Sequence, residues 1–481
     1  MNKILSLYLD HDGAATYVVN NEVVFHTQLD RYNRLKHCPF ISKDLLDYFY
    51  EIPFDKLIIT CQFWDYPTII NSIFHTNKRW LDKLQKVEIV QYGNQEHHLF
   101  HAYEALSWNK FNKYKIIVMD GSGSSQPTMY GKKEFETETV YSYNNKLTFE
   151  KRTFQRLGKK YQKISNRLMG DCWLTEGKTM ALSLYGKYTN KSLQIEPRQT
   201  IKKTDKVARD TAYTLQFCTE KDVLWFFKEY KNYNIVFTGG VAQNVLINSK
   251  LEKDNKNIFF SPFNGDFGIS LGAANYFTNN KIRIKDINLG IPQKLSFNNT
   301  RSTTVNEVAK LLLKEPVAIF QSRSEQGQRG LGYRSLLISP VCKEAYKKIN
   351  EIKKREWYRP FALSCLKEES HKWFNIKKDS PYMMKVYKLK NKKNIYTGYA
   401  IDDSCRIHTV DKSNIHYYNL LKEVYKITKV PMLVNTSLNL PGEVLVETPQ
   451  DLEEFMKKSK LKYAYIPETN KIICCMNLKN I

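Results

Sequence analysis

The chain is short of acids. Asp and Glu number 49 against 74 Lys and Arg, for a formal net charge of +25. That deficit excludes an electrostatically neutral surface and sets up a field that draws polyanions. An AT-rich genome accounts for the many Lys, Asn, Ile and Tyr residues, but less well for bases outnumbering acids. Long apolar runs are also missing: no stretch of about 18 or more uncharged apolar residues occurs, so no membrane partner is expected. The opening Met1-Asn2-Lys3-Ile4 lacks the apolar core and small-residue cleavage site of a signal peptide, so a cytoplasmic location is expected. The nine cysteines are scattered with no CxxC pair, and only Cys474-Cys475 adjoin. That excludes a zinc ribbon and fits a reducing compartment. Repeats at solenoid period and low-complexity tracts are absent as well. Glu176-Gly177-Lys178-Thr179 looks like part of a phosphate loop, but the spacing GxxxxGK[ST] is lacking.

What is present is a dense histidine segment, Asn94-Gln95-Glu96-His97-His98-Leu99-Phe100-His101-Ala102. On a helix His97 and His101 stand at i and i+4, so their imidazoles can share one ion. The apolar run Ile116-Ile117-Val118-Met119 then ends in Asp120, followed by Gly121-Ser122-Gly123-Ser124. A buried strand ending in an acid and a Gly-rich turn presents a carboxylate to a metal or to phosphates. Asn264-Gly265-Asp266-Phe267-Gly268 has the same look and can supply a second carboxylate. Two imidazoles and two carboxylates suit iron(II), zinc or manganese without choosing among them. A surface helix that binds nothing is the competing reading of the two histidines alone.

At 481 residues two or three domains are expected, and 42% hydrophobic content is enough for real cores. Residues 4–9, 14–19 and 22–25 read as strands joined by Asp10-His11-Asp12-Gly13 and Asn20-Asn21. Such a meander opens actin-like and sugar-kinase-like nucleotide folds. Helices are expected over 41–51 and 71–87, with a strand at 56–60 between them. Gly121–Tyr130 repeats the strand–Gly-turn–strand logic of the opening, which points to duplication. More strands follow over 135–155. A helix over 208–231 leads to strand 235–238, then Gly239-Gly240 and a helix from about Gln243 to Leu251. That turn can approach a nucleotide closely, with Asn244 free to bond ribose or base. Residues 280–300, rich in Lys and Asn, read as a linker. Beyond them come three basic knots, Ser322–Ser335 after strand 316–320, Lys353–Pro360 and Arg406–Val410, and then the polar run Asn435–Asn439 after strand 431–434. Three clusters after strand ends in one domain favour an oxyanion site. Phe63-Trp64-Asp65-Tyr66-Pro67 reads as packing, or as a stacking platform.

Taken together, His11-Asp12-Gly13, Arg31–His37, His97–Ala102, Asp120-Gly121, Glu176-Gly177-Lys178, Gly239–Asn244, Asp266-Phe267-Gly268 and the four C-terminal clusters resemble the O-carbamoyltransferases of the nodulation-factor and antibiotic-biosynthesis type. The likeness runs over nearly the whole chain. It implies an α/β protein: a duplicated actin-like (ASKHA) carbamoyl-transfer domain over residues 1–285, a linker over 286–300 and a YrdC-like domain over 301–481. The second domain would make carbamoyl-adenylate from carbamoyl phosphate and ATP with Mg2+. Arg323, Arg329, Arg334, Lys353, Arg359, Arg406, Asn435 and Ser437 would bind carbamoyl phosphate, their cations offsetting its charge. In the first domain His97, His101, Asp120 and Asp266 would hold one divalent metal ion, iron(II) first, with zinc or manganese as alternatives. Gly121, Gly123, Lys178, Gly239, Gly240 and Asn244 would hold the nucleotide. Lys36 and His11 would act in transfer, His11 beside the acceptor hydroxyl. The chain departs from the family where the usual acidic run reads Thr27-Gln28-Leu29-Asp30, and where Gln328 replaces a proline.

The charge favours a polymer acceptor: DNA bearing a hydroxymethylated pyrimidine, foremost 5-hydroxymethylcytosine, reached by base flipping or as single strands. The family resemblance extends to viral members that decorate modified DNA, which would work in the host cytoplasm. Trp64, Tyr66 and Trp173 are the candidate stacking residues. The alternative acceptor is a sugar or antibiotic hydroxyl. Threonylcarbamoyl transfer to tRNA and a non-catalytic nucleic-acid scaffold are further readings. An oligomer is compatible with the sequence.

Overall fold

A computed structural model describes residues 2–61, 78–92, 96–127, 133–170, 175–190, 201–255 and 257–474. Trp64, Tyr66 and Trp173 lie outside the described residues. The chain divides into two compact units: residues 1–180 with 186–290, and residues 181–185 with 291–481.

The first unit is built twice over. β1 (Lys3–Tyr8), β2 (Ala14–Val19) and β3 (Glu22–Gln28) form an antiparallel meander. β4 (Lys56–Thr60) and β5 (Glu88–Tyr92) then add parallel to β1, giving the order β3-β2-β1-β4-β5. β6 (Lys113–Met119) starts the second sheet. β7 (Ser125–Pro127) and β8 (Lys133–Phe135) form a small separate ribbon. β9 (Glu138–Asn144) and β10 (Lys146–Thr153) complete the meander, and β11 (Ile235–Thr238) and β12 (Ile258–Phe260) add in parallel. The order β10-β9-β6-β11-β12 repeats that of the first sheet. This repetition is the duplicated actin-like fold. One expectation is corrected: the meander partner of β6 is β9, not the stretch directly after Gly121. That stretch leaves the sheet to pair as the β7–β8 ribbon.

The central strands are continuous apolar runs because both faces are covered; Ile4 to Tyr8, Ile116 to Met119 and Ile235 to Phe237 are all buried. The helix His97–Ser107 packs on β6 and β11, and Ile269–Phe277 packs on β1, β2 and β4; the two helices pack on each other between the sheets. A Cβ built on Gly272 would meet Phe100 O at 1.9 Å. This crossing therefore admits only glycine, and it holds the histidine helix at a fixed height above the strand ends.

The second unit is an α/β layer around one nine-stranded mixed sheet. Its strands are β13 (Thr300–Ser302), β14 (Val317–Phe320), β15 (Arg334–Ile338), β16 (Ala362–Leu366), β17 (Val386–Lys388), β18 (Ser404–Val410), β19 (Met432–Ser437), β20 (Tyr463–Ile466) and β21 (Lys471–Cys474). They are ordered β13-β21-β20-β14-β15-β19-β16-β18-β17. One face buries a large core around Phe320, Ile338, Leu363 and Val434, and the other packs Leu312, Tyr417, Leu421 and Tyr465.

Gly272→Ala should destabilise the first unit by about 2–3 kcal/mol, the scale of overpacking a close-packed core. Thermal unfolding checks this: a lowered transition is expected, and an unchanged one would contradict the tight crossing.

Candidate functional site

Four segments of the first unit end at one place. The helix His97–Ser107 begins there, and its first N–H groups need partners. His97 N donates to Ser124 Oγ (3.0 Å) and His98 N to Glu136 Oε1 (3.3 Å). Both acceptors flank the loop after Asp120, so helix start and strand end are stitched together. Asp120 follows β6. Its Oδ1 accepts from Gly121 N (2.7 Å) and Gly240 N (3.3 Å). Its Oδ2 then faces His97 Nε2 (3.2 Å) and His101 Nε2 (3.4 Å). Asp266 opens a 3-10 turn. Its Oδ1 lies 3.6 Å from both imidazole nitrogens. Its Oδ2 accepts from Tyr8 Oη (3.1 Å) and faces His11 Nε2 (3.2 Å).

His97, His101, Asp120 and Asp266 thus each offer a ligand atom, all within 4.8 Å of one another. A divalent cation fits this set. The donors are two imidazoles and two carboxylates, and both ring nitrogens of fully buried His101 lack a hydrogen-bond partner. Two buried carboxylates so close need positive charge beside them. Burial pushes Asp120 up, but His101 and His97 outweigh it and hold the carboxyl well below its usual range. Asp266 is likewise lowered, burial being overcome by His97 and His11. In return the acids raise His101 to about 10 against the effect of burial. Asp266 is the chief cause that raises His11 to about 10.

The glycines of this region serve close approach. Gly239 has φ +87°, and a Cβ on it would meet Met119 O at 2.3 Å; one on Gly240 would meet Asp120 Oδ1 at 2.7 Å. They bring β11 down onto Asp120, so Gly240 is a partner of the acid as well as a nucleotide candidate. A Cβ on Gly123 would strike His98 and Glu136 at 2.7 Å, so this glycine is required by packing, whereas Gly121 has room around it. Lys178 is half-buried in the first turn of the helix Glu176–Ser183.

Asn244 corrects an expectation. Its Oδ1 accepts from Leu246 N and Ile247 N (both 3.2 Å), capping the helix Val245–Asp254, and its amide also pairs with Gln216. Those atoms are committed to the fold rather than free for ribose or base. Lys36 is exposed. The residue of its turn that reaches an acid is His37, whose Nδ1 meets Asp12. Sequence reasoning missed Glu104, one turn beyond His101. It accepts from Trp108 Nε1 (2.9 Å), Ser261 Oγ (2.5 Å) and Thr238 Oγ1 (3.1 Å). It ties the histidine helix to the ends of β11 and β12. Burial pushes its carboxyl up to about 7.

In the second unit four half-buried arginines sit in one another's field: Arg329, Arg355, Arg359 and Arg406. Burial, then Arg355 and Arg359, lower Arg329 to about 10. Burial and neighbouring guanidiniums also hold Arg355 and Arg406 well below the usual range. Glu356, paired with Arg359 at 3.1 Å, is the acid beside them. Buried and without a hydrogen-bond partner are Arg406 Nε and Asn435 Oδ1. So much like charge in one place suits a polyanion. Arg355 was missed because it lies inside a basic run where any residue could face solvent.

Other members of the expected set hold the chain. Arg334 is fully buried, donates to the carbonyls of Gln321, Tyr333, Ser322 and Glu447, and stacks 3.5 Å from the Phe320 ring centroid. This corrects its assignment to phosphate. Lys353 Nζ donates to Ser437 O (2.8 Å), Asn439 O (2.5 Å) and Asn439 Oδ1 (2.6 Å), fixing the turn that carries Ser437. Ser437 Oγ donates to Asn439 Oδ1 (2.7 Å). Arg323 stands half-buried after β14.

Two outcomes follow. His101→Ala should abolish retention of one divalent ion per chain, and Gly240→Ala should weaken it about 10–100-fold by disturbing Asp120; elemental analysis after dialysis reads both, and full retention in either would contradict the site. Arg406→Met should relieve repulsion and stabilise the anion-free protein by about 1 kcal/mol, roughly 2–4 °C for a unit of this size. It should also lose the rise in Tm on adding phosphate; a destabilised variant that keeps that rise would contradict the cluster.

Comparison with known proteins identifies the family. Residues 189–275 match the family model described as carbamoyltransferase N-terminus and residues 308–471 that described as carbamoyltransferase C-terminus. Together they span more than half the chain. Uncharacterized protein MJ1051 of Methanocaldococcus jannaschii is 25% identical, covering 94% of this chain and 96% of its own. Nodulation protein NolNO of Sinorhizobium fredii is 25% identical over 92% of this chain and 76% of its own. Nodulation protein NolO of Bradyrhizobium diazoefficiens is 31% identical over half of each. A partial structural likeness is to the activator of 2-hydroxyisocaproyl-CoA dehydratase from Clostridium difficile with bound ADPNP (TM-score 0.33, 12% identity, 58% of this chain and 95% of that chain). With both halves of the family matched in order, the chain belongs to the O-carbamoyltransferase family and is an enzyme of carbamoyl transfer.

Proposed function

We propose that the protein makes carbamoyl-adenylate from carbamoyl phosphate and ATP in its YrdC-like C-terminal unit, consuming water and releasing phosphate and pyrophosphate, and delivers the carbamoyl group to a hydroxyl in its actin-like unit. The observation that carries this is the occurrence, in one chain, of a cluster of four arginines and a separate His/His/Asp/Asp cluster. The first suits phosphate departure, because Arg329, Arg355, Arg359 and Arg406 are already held together and need no reorganisation to receive an anion. Asn435 and Ser437 add polar contacts beside them. In the second, a divalent ion held by His97, His101, Asp120 and Asp266 would polarise the carbamoyl carbonyl and its leaving phosphate. The acceptor oxygen attacks the carbamoyl carbon, its bond to the adenylate phosphate breaks, and AMP leaves. His11, with a side chain 47% exposed, is the outermost member of the cluster. A cation beside Asp266 would offset the negative charge that keeps this ring protonated, and the neutral ring stands where it can take the hydroxyl proton as the new bond forms. Asp266 and Asp10 orient its ring.

The acceptor we propose is the hydroxymethyl group of 5-hydroxymethylcytosine in DNA. The support is the net charge of +25, a field that concentrates a polyanionic substrate and that a sugar or antibiotic does not require. The alternative, a small-molecule hydroxyl, is favoured by relatives named as nodulation proteins.

Incubation with ATP, carbamoyl phosphate and hydroxymethylated DNA, then digestion and mass spectrometry, should show nucleosides heavier by one carbamoyl group. Transfer should fall steeply with salt and be lost in His11→Ala. Salt-insensitive transfer to free nucleoside, with none to DNA, would contradict the DNA acceptor. Full transfer by His11→Ala would remove that residue's role.

A further inference from the structure

The longest described helix, Lys206–Lys228, buries one side and leaves an unusual other side. Its buried side carries Gln216, which binds Tyr161 Oη (2.8 Å) and the capping Asn244 (3.0 Å). Successive residues turn by about 100°, so Lys206, Tyr213, Phe217, Lys221 and Lys228 fall on one outer stripe about 33 Å long, with Trp225 on its flank. Phe217 is 42% exposed and Trp225 69%. Tyr213 and Phe217 stack nearly parallel, with centroids 6.2 Å apart and planes at 10°. Tyr188, 52% exposed, closes on Phe217 edge-on at 5.3 Å. Lys206, Lys221 and Lys228 are exposed and make no ion pair among the described residues. Lys187, Lys202 and Lys203 are exposed beside the stripe. Asp210 is the acid on the stripe, and its carboxylate accepts from Lys187 N (2.9 Å).

Large exposed rings are costly to leave in water, and a helix that only faced solvent would carry polar residues there. Rings spaced by single helical turns and bracketed by cations match the needs of a strand whose bases are unpaired. Every base has a face to stack, and every phosphate a charge to neutralise. Duplex DNA keeps its bases stacked inside and offers these rings nothing. We propose that this face, with Tyr188, is a docking strip for single-stranded nucleic acid: bases stack on Tyr188, Tyr213 and Phe217, and Lys206, Lys221 and Lys228 meet the backbone. The proposal builds on the polymer-acceptor reading and goes further, naming the strand state and the residues that hold it.

The test is fluorescence anisotropy of the full-length protein with an unmodified dT20 strand and with a 20-base-pair duplex. This substrate carries no hydroxymethyl group, so binding is read apart from transfer. The single strand should bind more tightly than the duplex. Y213A with F217A should weaken it tenfold or more, on the scale of about 1–3 kcal/mol per stacked base. Gln at Lys206, Lys221 and Lys228 should flatten the log–log salt slope by about 2. Circular dichroism and transfer to free nucleoside should be unchanged in both variants. Unaltered dT20 affinity in folded variants would overturn the strip. So would equal affinity for duplex, or a change in association state in place of strand affinity, which would show that the face covers a second copy. Loss of dT20 binding with no transfer to any DNA would leave the strip standing and defeat the DNA acceptor alone.

Discussion

Two buried carboxylates facing each other across a few ångströms govern the first unit. Asp120 follows β6 and Asp266 lies in the turn after β12 of the same sheet, and neither is neutralised by a lysine or arginine among the described contacts. Imidazoles fill that role: His97 and His101 stand between the acids, and His11 attends Asp266 from outside. The arrangement demands net positive charge at its centre. Protons on His11 and His101 supply it in part, and a divalent cation supplies it with better geometry. The surrounding fold can be understood as what is needed to keep these four side chains in place. Gly272 sets the helix height, Gly239 and Gly240 let β11 close on Asp120, and Glu104 binds the histidine helix to the ends of β11 and β12.

The second unit solves the reverse problem. Its four arginines repel, and no comparable number of acids faces them among the described residues. Such a cluster costs stability that an anion returns on binding, a common trade between stability and function. It also explains why Arg334 and Lys353 differ from their neighbours in sequence. An arginine stacked on Phe320 has both terminal nitrogens bonded to carbonyls, whereas Arg406 faces the like charge of Arg329 and Arg359. The two kinds of arginine share composition and spacing and are separated only by what surrounds them.

That difference marks how much the sequence could tell. His97 and His101 were legible because helical periodicity alone puts them on one face. Asp120 and Asp266 were legible because an acid that ends a buried run, before glycine or within a Gly-Asp-Phe-Gly turn, has few bland uses. The opening strands were legible as short apolar runs set off by Asp/Gly and Asn-Asn turns. The meander partner of β6 was not, since local turn chemistry after Asp120 suggested an immediate hairpin while tertiary pairing chose β9. Asn244 carried a signal that was misread: Asn before a helix is first of all a cap. Glu104 and Arg355 gave no local signal, because their roles depend on Ser261 and Thr238 in one case and on Arg359 and Arg406 in the other.

The central claim is that a cation sits among two nitrogens and two oxygens in the actin-like unit. X-ray absorption at the edge of whichever metal co-purifies tests it most directly. A mixed shell with two imidazoles and carboxylate oxygens, losing its imidazole signature in His97→Ala, is the result predicted. An all-oxygen shell, or a metal whose spectrum ignores that substitution, would contradict it.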